Sequence, residues 1–162
     1  MNEQKTTKKK ILLASDHAGF ELKNMLREFL PAIGYEVEDM GPDILDPEDD
    51  FPELLTPAGF AVAQDPERVC AVVIGGSGQG EAMVMNRFPG VRAVVFYGNE
   101  NRTQAEEIIA LSRQHNDANV LSLGARFITA DEAKWAVELW LNTPFSGEEK
   151  YARRNDMLDT IM

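Results

Sequence analysis

The chain has 162 residues, of which 44% are hydrophobic and 27% charged, and these proportions are typical of one globular domain with its own core. Its 16 basic and 27 acidic residues give a net charge of −11, which argues against nucleic acid as a partner because a polyanion would be repelled. No apolar run in the sequence approaches the roughly 20 residues of a membrane span, so we expect no membrane partner.

The predicted elements begin after a polar, Lys-rich start. This start lacks the apolar region of a secretory signal, so we expect residues 1–9 to be a flexible tail and residues 10–162 to form a single domain. The lone cysteine, Cys70, excludes an internal disulfide and is typical of a reducing compartment. A cytoplasmic location is therefore expected.

Short β-branched runs alternate with longer segments of helical period, which is typical of βαβ units around a parallel sheet. The predicted strands are at residues 10–14, 35–39, 69–74, 91–96 and 120–123. The predicted helices are at about residues 21–33, 53–63, 81–88, 100–112, 130–141 and 148–161. The simplest architecture is an α/β, three-layer flavodoxin-like fold with strand order 2-1-3-4-5 and an extra C-terminal helix.

Two helix starts carry capping signals. Asn99 is predicted to cap the helix that begins near residue 100. Thr129 and Glu132 match a capping box in front of the next helix.

Two unusual segments follow the first and third predicted strands. They are residues 15–20 (SDHAGF) and residues 75–81 (GGSGQGE). Ligands of open parallel sheets bind beyond the carboxyl ends of the strands where the strand order reverses, which here lies between strands 1 and 3. The two segments therefore predict a site at that edge.

The glycine loop at residues 75–80 is built for close approach to a ligand. Its glycines let the backbone come near an anion, and the helix behind it points N–H groups at the turn. The sixth residue from Gly76 is Glu81 rather than glycine, and no Gly-Lys-Ser/Thr ends the loop. The loop thus predicts a small anion rather than a common nucleotide, with a merely tight βα turn as the alternative.

Several polar residues near this edge have both a structural and a functional interpretation. Glu81 fits the acidic preference of a first helical turn, and the same helix dipole would keep it ionised and able to accept a proton. Asp16 and His17 follow the first strand, where such residues also occur simply because they form hydrogen bonds within the loop. His115, the other of two histidines, lies in a dense polar segment, residues 113–120 (RQHNDANV).

Six segments along the chain form a specific pattern. They are residues 15–20 (SDHAGF), 76–80 (GSGQG), 86–93 (NRFPGVRA), 115–121 (HNDANVL), 123–126 (LGAR) and 150–154 (KYARR). In order and spacing, from about residue 10 to 158, they resemble the ribose-5-phosphate isomerase B and galactose-6-phosphate isomerase family.

The resemblance implies interconversion of aldose and ketose phosphates through a cis-enediolate, without a metal or another cofactor. By position, Asp16 and His115 match the groups that open the sugar ring and shuttle hydroxyl protons. Ser77, Asn116 and the loop backbone would hold the enediolate, and the loop residues concerned are Gly76, Ser77, Gly78, Gln79 and Gly80. The phosphate-binding positions match His17, Arg126, Lys150 and Arg154.

The sequence departs from the family pattern in three places. Many members have a catalytic cysteine where this chain has Gly75, and a second branch uses a glutamate where Glu81 stands. We therefore expect Glu81 to be the base and Cys70 to be a buried apolar residue. Lys150-Tyr151 replaces Arg-His, and Phe51 replaces a tyrosine, which leaves the identity of the sugar open.

The leading expectation is an isomerase of ribose 5-phosphate and ribulose 5-phosphate. The alternatives are a galactose- or allose-type hexose 6-phosphate isomerase and a non-catalytic phosphosugar-binding module. The resemblance also implies a homodimer or a dimer of dimers, with active sites at the subunit interface and contacts from the C-terminal helix. The acidic segment at residues 40–51 could line the far end of the pocket.

Overall fold

Five parallel strands form the sheet at the centre of the computed structural model, which describes residues 9–161. The strands are β1 (Lys10–Ser15), β2 (Val37–Asp39), β3 (Val69–Gly75), β4 (Ala93–Phe96) and β5 (Val120–Gly124). The helices are α1 (Phe20–Ala32), α2 (Phe51–Gln64), α3 (Gln79–Met85), α4 (Arg102–Gln114), α5 (Ala130–Asn142) and α6 (Glu149–Asp159). The predicted α/β class, parallel sheet and extra C-terminal helix are confirmed.

Helices cover both faces of the sheet. In β3, Cys70, Val72 and Ile74 pack with α1, α4 and α5, whereas Ala71 and Val73 pack with α2 and α3. This division arises because successive side chains of a strand point to opposite faces. Burying each large aliphatic side chain contributes about 1.5–3 kcal/mol, so both clusters hold the sheet between two helical layers.

The strand order is 2-1-3-5-4, so the predicted order is wrong for the last two strands. β5 pairs with β3, and β4 is the edge strand beside β5. Every residue of β5 is buried, whereas three of the four residues of β4 are partly exposed. The short helix α3 packs across β3, β5 and β4. The strand that follows it, β4, therefore lies one strand position further from β3 than predicted.

The two capping predictions have different outcomes. At the start of α5, the Thr129 hydroxyl accepts from the Glu132 N–H at 3.1 Å, and the Glu132 carboxylate accepts from the Thr129 N–H at 2.8 Å, which confirms the capping box. The cap of α4 is Asn101 rather than Asn99, because Asn101 accepts from the Gln104 N–H at 3.2 Å. Asn99 instead accepts from the Asn101 N–H at 2.8 Å in the preceding turn.

The two ends of the domain are tied to the rest of the fold. Residues 1–8 of the predicted tail lie outside the described residues, and the Lys9 ammonium donates to the Pro66 carbonyl at 3.1 Å. Near the C-terminus, the Arg92 guanidinium donates to the Asp159 carboxylate of α6 at 2.9 and 3.0 Å. Across residues 9–161, no helix combines the length and the apolar character that crossing a bilayer requires.

Candidate active site

The segments after β1 and β3 lie side by side at the carboxyl edge of the sheet. Ser15 pairs with Ile74, and the Asp16 N–H donates to the Ile74 carbonyl at 3.3 Å. The turn at His17–Gly19 passes so close to β3 that a Cβ on Gly19 would overlap the Ile74 backbone, which explains the glycine. The Asp16 carboxylate caps this turn by accepting from the Gly19 N–H at 3.1 Å.

The glycine loop after β3 is held by specific contacts. Gly78 has a φ of +76°, a conformation that favours glycine, and the Ser122 hydroxyl of β5 donates to its carbonyl at 2.6 Å. The Ser77 hydroxyl accepts from the Gln79 N–H at 3.4 Å. Phe51 closes the far side, because a Cβ on Gly80 would lie 3.0 Å from its ring. The loop therefore has one defined backbone conformation.

The Glu81 carboxyl occupies the space beside Gly75, where a side chain at residue 75 would stand. A Cβ on Gly75 would overlap the carboxyl atoms of Glu81. Glu81 is 4% exposed, and this burial raises its pKa above the ordinary value. Its own backbone N–H opposes the rise in pKa, while the charge of Asp16 and a hydrogen bond between the two carboxyls add to it. Burial thus outweighs the backbone hydrogen bond at the start of α3 in setting the direction of the Glu81 pKa shift.

Two basic side chains flank these carboxyls. His17 Nδ1 lies 2.7 Å from Asp49 Oδ1, and this hydrogen bond raises the His17 pKa. Arg126 follows β5, and its N–H donates to the Gly76 carbonyl at 3.1 Å. A Cβ on Gly76 would lie 3.0 Å from the Arg126 guanidinium, so glycine there gives the guanidinium room. Arg126, and His17 when its ring is protonated, therefore present positive charge at the same edge.

The other predicted residues form a second cluster at the amino edge of the sheet. The His115 ring stacks on Tyr151 of α6 with ring centroids 4.0 Å apart. Lys150 Nζ lies 4.7 Å from the centre of the Tyr151 ring, and the Arg154 guanidinium carbon lies 5.9 Å from it. Asn116 precedes β5, and its carbonyl accepts from Arg92 Nε at 2.8 Å.

Within one chain, the two clusters do not meet. His115 and Asn116 come before β5, whereas Arg126 comes after it, and the five residues of β5 at about 3.3 Å each span roughly 15 Å. Asp16, His17, Ser77, Glu81 and Arg126 are at the carboxyl edge, and His115, Asn116, Lys150 and Arg154 are at the amino edge. A site that uses both clusters must draw them from two chains.

Sequence reasoning missed Asp49 as a partner of the site. Its segment contains five acidic residues between positions 43 and 50, and the sequence does not distinguish among them. Asp49 is half-buried, whereas the other four, Asp43, Asp46, Glu48 and Asp50, are exposed. Asp49 can be singled out only from the path by which its loop folds back toward the end of β1, and the sequence does not show that path.

The carboxyl edge suits proton transfer within a small anion. Such an enzyme needs a base whose pKa approaches the working pH and cationic donors for the anion. Glu81 has its pKa raised in the direction of neutrality, and His17 and Arg126 supply the cationic donors. The α/β fold places this edge beside the switch point between β1 and β3. Fold and site together suit an intramolecular proton-transfer enzyme, the class to which aldose–ketose isomerases belong.

Comparison with known proteins narrows this class to one family. The model of the Ribose/Galactose Isomerase family matches residues 11–158, and the chain belongs to that family. Ribose-5-phosphate isomerase B from Mycobacterium tuberculosis H37Rv is 34% identical over 149 residues, covering 92% of this chain and 87% of that protein. The protein of the same name from Escherichia coli K12 is 37% identical over 140 residues, covering 86% and 87%.

Solved structures with similar folds belong to proteins of the same name. Ribose-5-phosphate isomerase B from Mycoplasma genitalium with bound ribulose-5-phosphate has a TM-score of 0.85 and 33% identity, covering 93% of each chain. The enzyme of that name from Thermotoga maritima has a TM-score of 0.82 and 34% identity, covering 94% of this chain. The predicted family is confirmed, and the use of a glutamate base remains a prediction.

Proposed function

We propose that this protein interconverts ribose 5-phosphate and ribulose 5-phosphate, with Glu81 as the base. The observation that carries the proposal is the Glu81 carboxyl, which is buried against Asp16 at the mouth of the glycine loop. Relatives named ribose-5-phosphate isomerase B and a structural neighbour with bound ribulose-5-phosphate support the choice of sugar.

The proposed chemistry moves one carbon-bound proton. Glu81 takes the proton from C2 of the open-chain aldose and returns it to C1, while hydroxyl protons pass between O1 and O2. The negative charge of the cis-enediolate faces the backbone N–H groups of residues 76–80 and the Ser77 hydroxyl. Donors aimed at developing charge lower the barrier, and removing one such donor from the oxyanion hole of the protease subtilisin costs about 2.7–4 kcal/mol.

The remaining roles come from two chains of a proposed homodimer. Asp16 of one chain and His115 of the partner subunit open the sugar ring and shuttle the hydroxyl protons. His17 and Arg126 bind the phosphate together with Lys150 and Arg154 of the partner subunit. The separation of the two clusters to opposite edges of the sheet supports this arrangement.

The phosphate-binding roles predict a specific pattern of binding defects. Arg126→Ala, Lys150→Ala and Arg154→Ala should each raise the KM for ribose 5-phosphate by about 10- to 100-fold, because each removes a charge-assisted contact. kcat should fall as well where remote binding energy positions the sugar. The matched control is Arg153→Ala, on the neighbouring exposed position of α6. Wild-type KM in all three variants would contradict the assignment.

A panel of pentose and hexose phosphates tests the proposed substrate. We expect the highest kcat/KM with ribose 5-phosphate and the same rate after chelator treatment. No group of three or more His, Cys, Asp or Glu side chains in residues 9–161 is placed to hold a metal ion. Turnover confined to hexose 6-phosphates would favour the alternative isomerase. A folded protein that binds the panel but converts none of its members would instead be a phosphosugar-binding module.

A further inference from the structure

The loop between β2 and α2, residues 40–50, is anchored beside the candidate site. At its start, the fully buried Lys23 ammonium donates to both oxygens of the Asp39 carboxylate at 2.7 and 2.8 Å. The Gly41 carbonyl then accepts from the Ser15 N–H at 3.2 Å, at the end of β1. The loop ends at α2, whose first residue, Phe51, contacts the glycine loop. Both ends of the loop are thus fixed next to Asp16 and His17.

Asp49 is the residue that this loop presents to the site. Its side chain is 9% exposed, and its Oδ1 lies 2.7 Å from His17 Nδ1. Its other oxygen, Oδ2, is buried and has no hydrogen-bond partner among residues 9–161. A buried carboxylate with an unpaired oxygen is costly unless a positive charge compensates it. A protonated His17 ring supplies that charge, with Nδ1 at 2.7 Å from Asp49 Oδ1.

The contact also decides which ring nitrogen faces a ligand. Asp49 accepts the Nδ1–H of His17, which leaves Nε2 free on the other side of the ring. A neutral ring held in this way would offer only an acceptor at Nε2, and an acceptor repels an anion. The imidazolium donates from both nitrogens, so it can bind Asp49 and an anionic oxygen at the same time.

We propose that Asp49 is a positioning residue that holds His17 as an imidazolium, with Nε2–H directed at the substrate phosphate beside Arg126. The inference rests on the proposed function, since the phosphate belongs to the substrate assigned above. The acidic loop thereby contributes to phosphate binding, because its Asp49 holds the histidine that contacts the phosphate.

The direction of the pH dependence follows from the groups that face His17. The hydrogen bond to Asp49 raises its pKa most, and the charges of Asp16 and Asp49 add to the rise. Burial and the charge of Arg126 act in the opposite direction. Because the net shift is upward, the ring keeps its charge to a higher pH than an ordinary histidine, and it loses that charge as the pH rises through the raised pKa. Phosphate binding should weaken over the same range.

The test compares Asp49→Asn with Glu48→Gln, which removes the same charge from the neighbouring exposed position of the loop. Histidine ring signals followed by NMR across pH report the His17 pKa directly, since the chain has only two histidines. In Asp49→Asn this pKa should fall below the wild-type value, because the hydrogen bond that raises it most is weakened. In Glu48→Gln it should stay near the wild-type value.

Calorimetric titration with inorganic phosphate provides the second readout. At a pH between the His17 pKa values that NMR gives for the two proteins, Asp49→Asn should raise the Kd for phosphate by about tenfold, because a charged donor is replaced by a neutral ring. KM for ribose 5-phosphate should rise in parallel, and kcat should fall by a smaller factor, because the phosphate is remote from the reacting carbons but its binding helps to position the sugar. Glu48→Gln should leave all three quantities within about twofold of wild type.

The outcomes separate this inference from the proposed function. An unchanged His17 pKa in Asp49→Asn would overturn the inference, and so would a lowered pKa with unchanged phosphate affinity. A third outcome is that the wild-type protein converts no sugar phosphate while Asp49→Asn still weakens phosphate binding. That outcome would support the role of Asp49 in positioning His17 and overturn only the proposed isomerase activity.

Discussion

Glu81→Gln is expected to lower kcat for ribose 5-phosphate by about 10²- to 10⁴-fold, the usual contribution of a general base. Glutamine has nearly the same shape and keeps a hydrogen-bond acceptor, but it cannot take the proton from C2. KM should change little, because the carboxyl acts on the reacting carbon rather than on the phosphate. Steady-state kinetics at saturating substrate measure the effect, and circular dichroism verifies that the variant is folded.

A matched control distinguishes catalysis from an ordinary helix-start preference. Glu81 is the third residue of α3, and Glu132 is the third residue of α5. If Glu81 served only the helix dipole, Glu81→Gln and Glu132→Gln would have similarly small effects on kcat. We expect Glu132→Gln to retain wild-type kcat and to lose at most about 1 kcal/mol of stability.

Cys70 provides the control for the alternative base. It is 2% exposed near the start of β3, about 16 Å along the strand from Gly75. Burial raises the pKa of its thiol to about 11, so the thiolate is scarce at neutral pH. Cys70→Ala should therefore keep kcat, with a stability loss of about 1 kcal/mol. A folded but inactive Cys70→Ala beside an active Glu81→Gln would reverse the proposed mechanism.

The sequence specifies the layers of this fold better than the order of its strands. Helical and β-branched periods identify all five strands, most clearly the apolar runs of β1 and β3, whereas the short β2 contains two acidic residues. They do not rank β4 against β5, since both runs are apolar and only packing shows that β5 is buried on both faces. Similarly, Asn99 and Asn101 are equally good caps by composition, and the hydrogen bond to Gln104 decides between them.

The candidate site is predictable only in part for a related reason. Asp16 and Glu81 follow strands that pair directly, so parallel-sheet rules bring them to one edge. The corrected order also brings Arg126 beside the glycine loop, because β5 rather than β4 adjoins β3. Asp49 depends on the path of an irregular loop, which hydrophobic periodicity does not describe. The allocation of His115 to the opposite edge depends on where β5 begins.

Mixing two inactive variants is expected to restore activity if the site is shared between chains. Glu81→Gln damages the carboxyl-edge cluster, and His115→Gln damages the amino-edge cluster. A mixed dimer of the two contains one site with both defects and one site with neither. Random exchange of chains should recover about a quarter of the wild-type activity, because half of the dimers are mixed and each has one intact site.

The matched control pairs Glu81→Gln with Asp16→Asn, two variants of the same carboxyl-edge cluster. In that mixed dimer every site keeps one defect, so no activity should return, although chain exchange is equally complete. The two mixtures therefore differ in activity by more than tenfold only when the two edges belong to one site across an interface.

Native mass spectrometry measures the fraction of mixed dimers, and activity assays follow on the same samples. Full exchange without recovery in the Glu81→Gln and His115→Gln mixture would show that the amino-edge cluster does not complete the site of a neighbouring chain. The separation of these clusters by the length of β5 makes recovery the expected result.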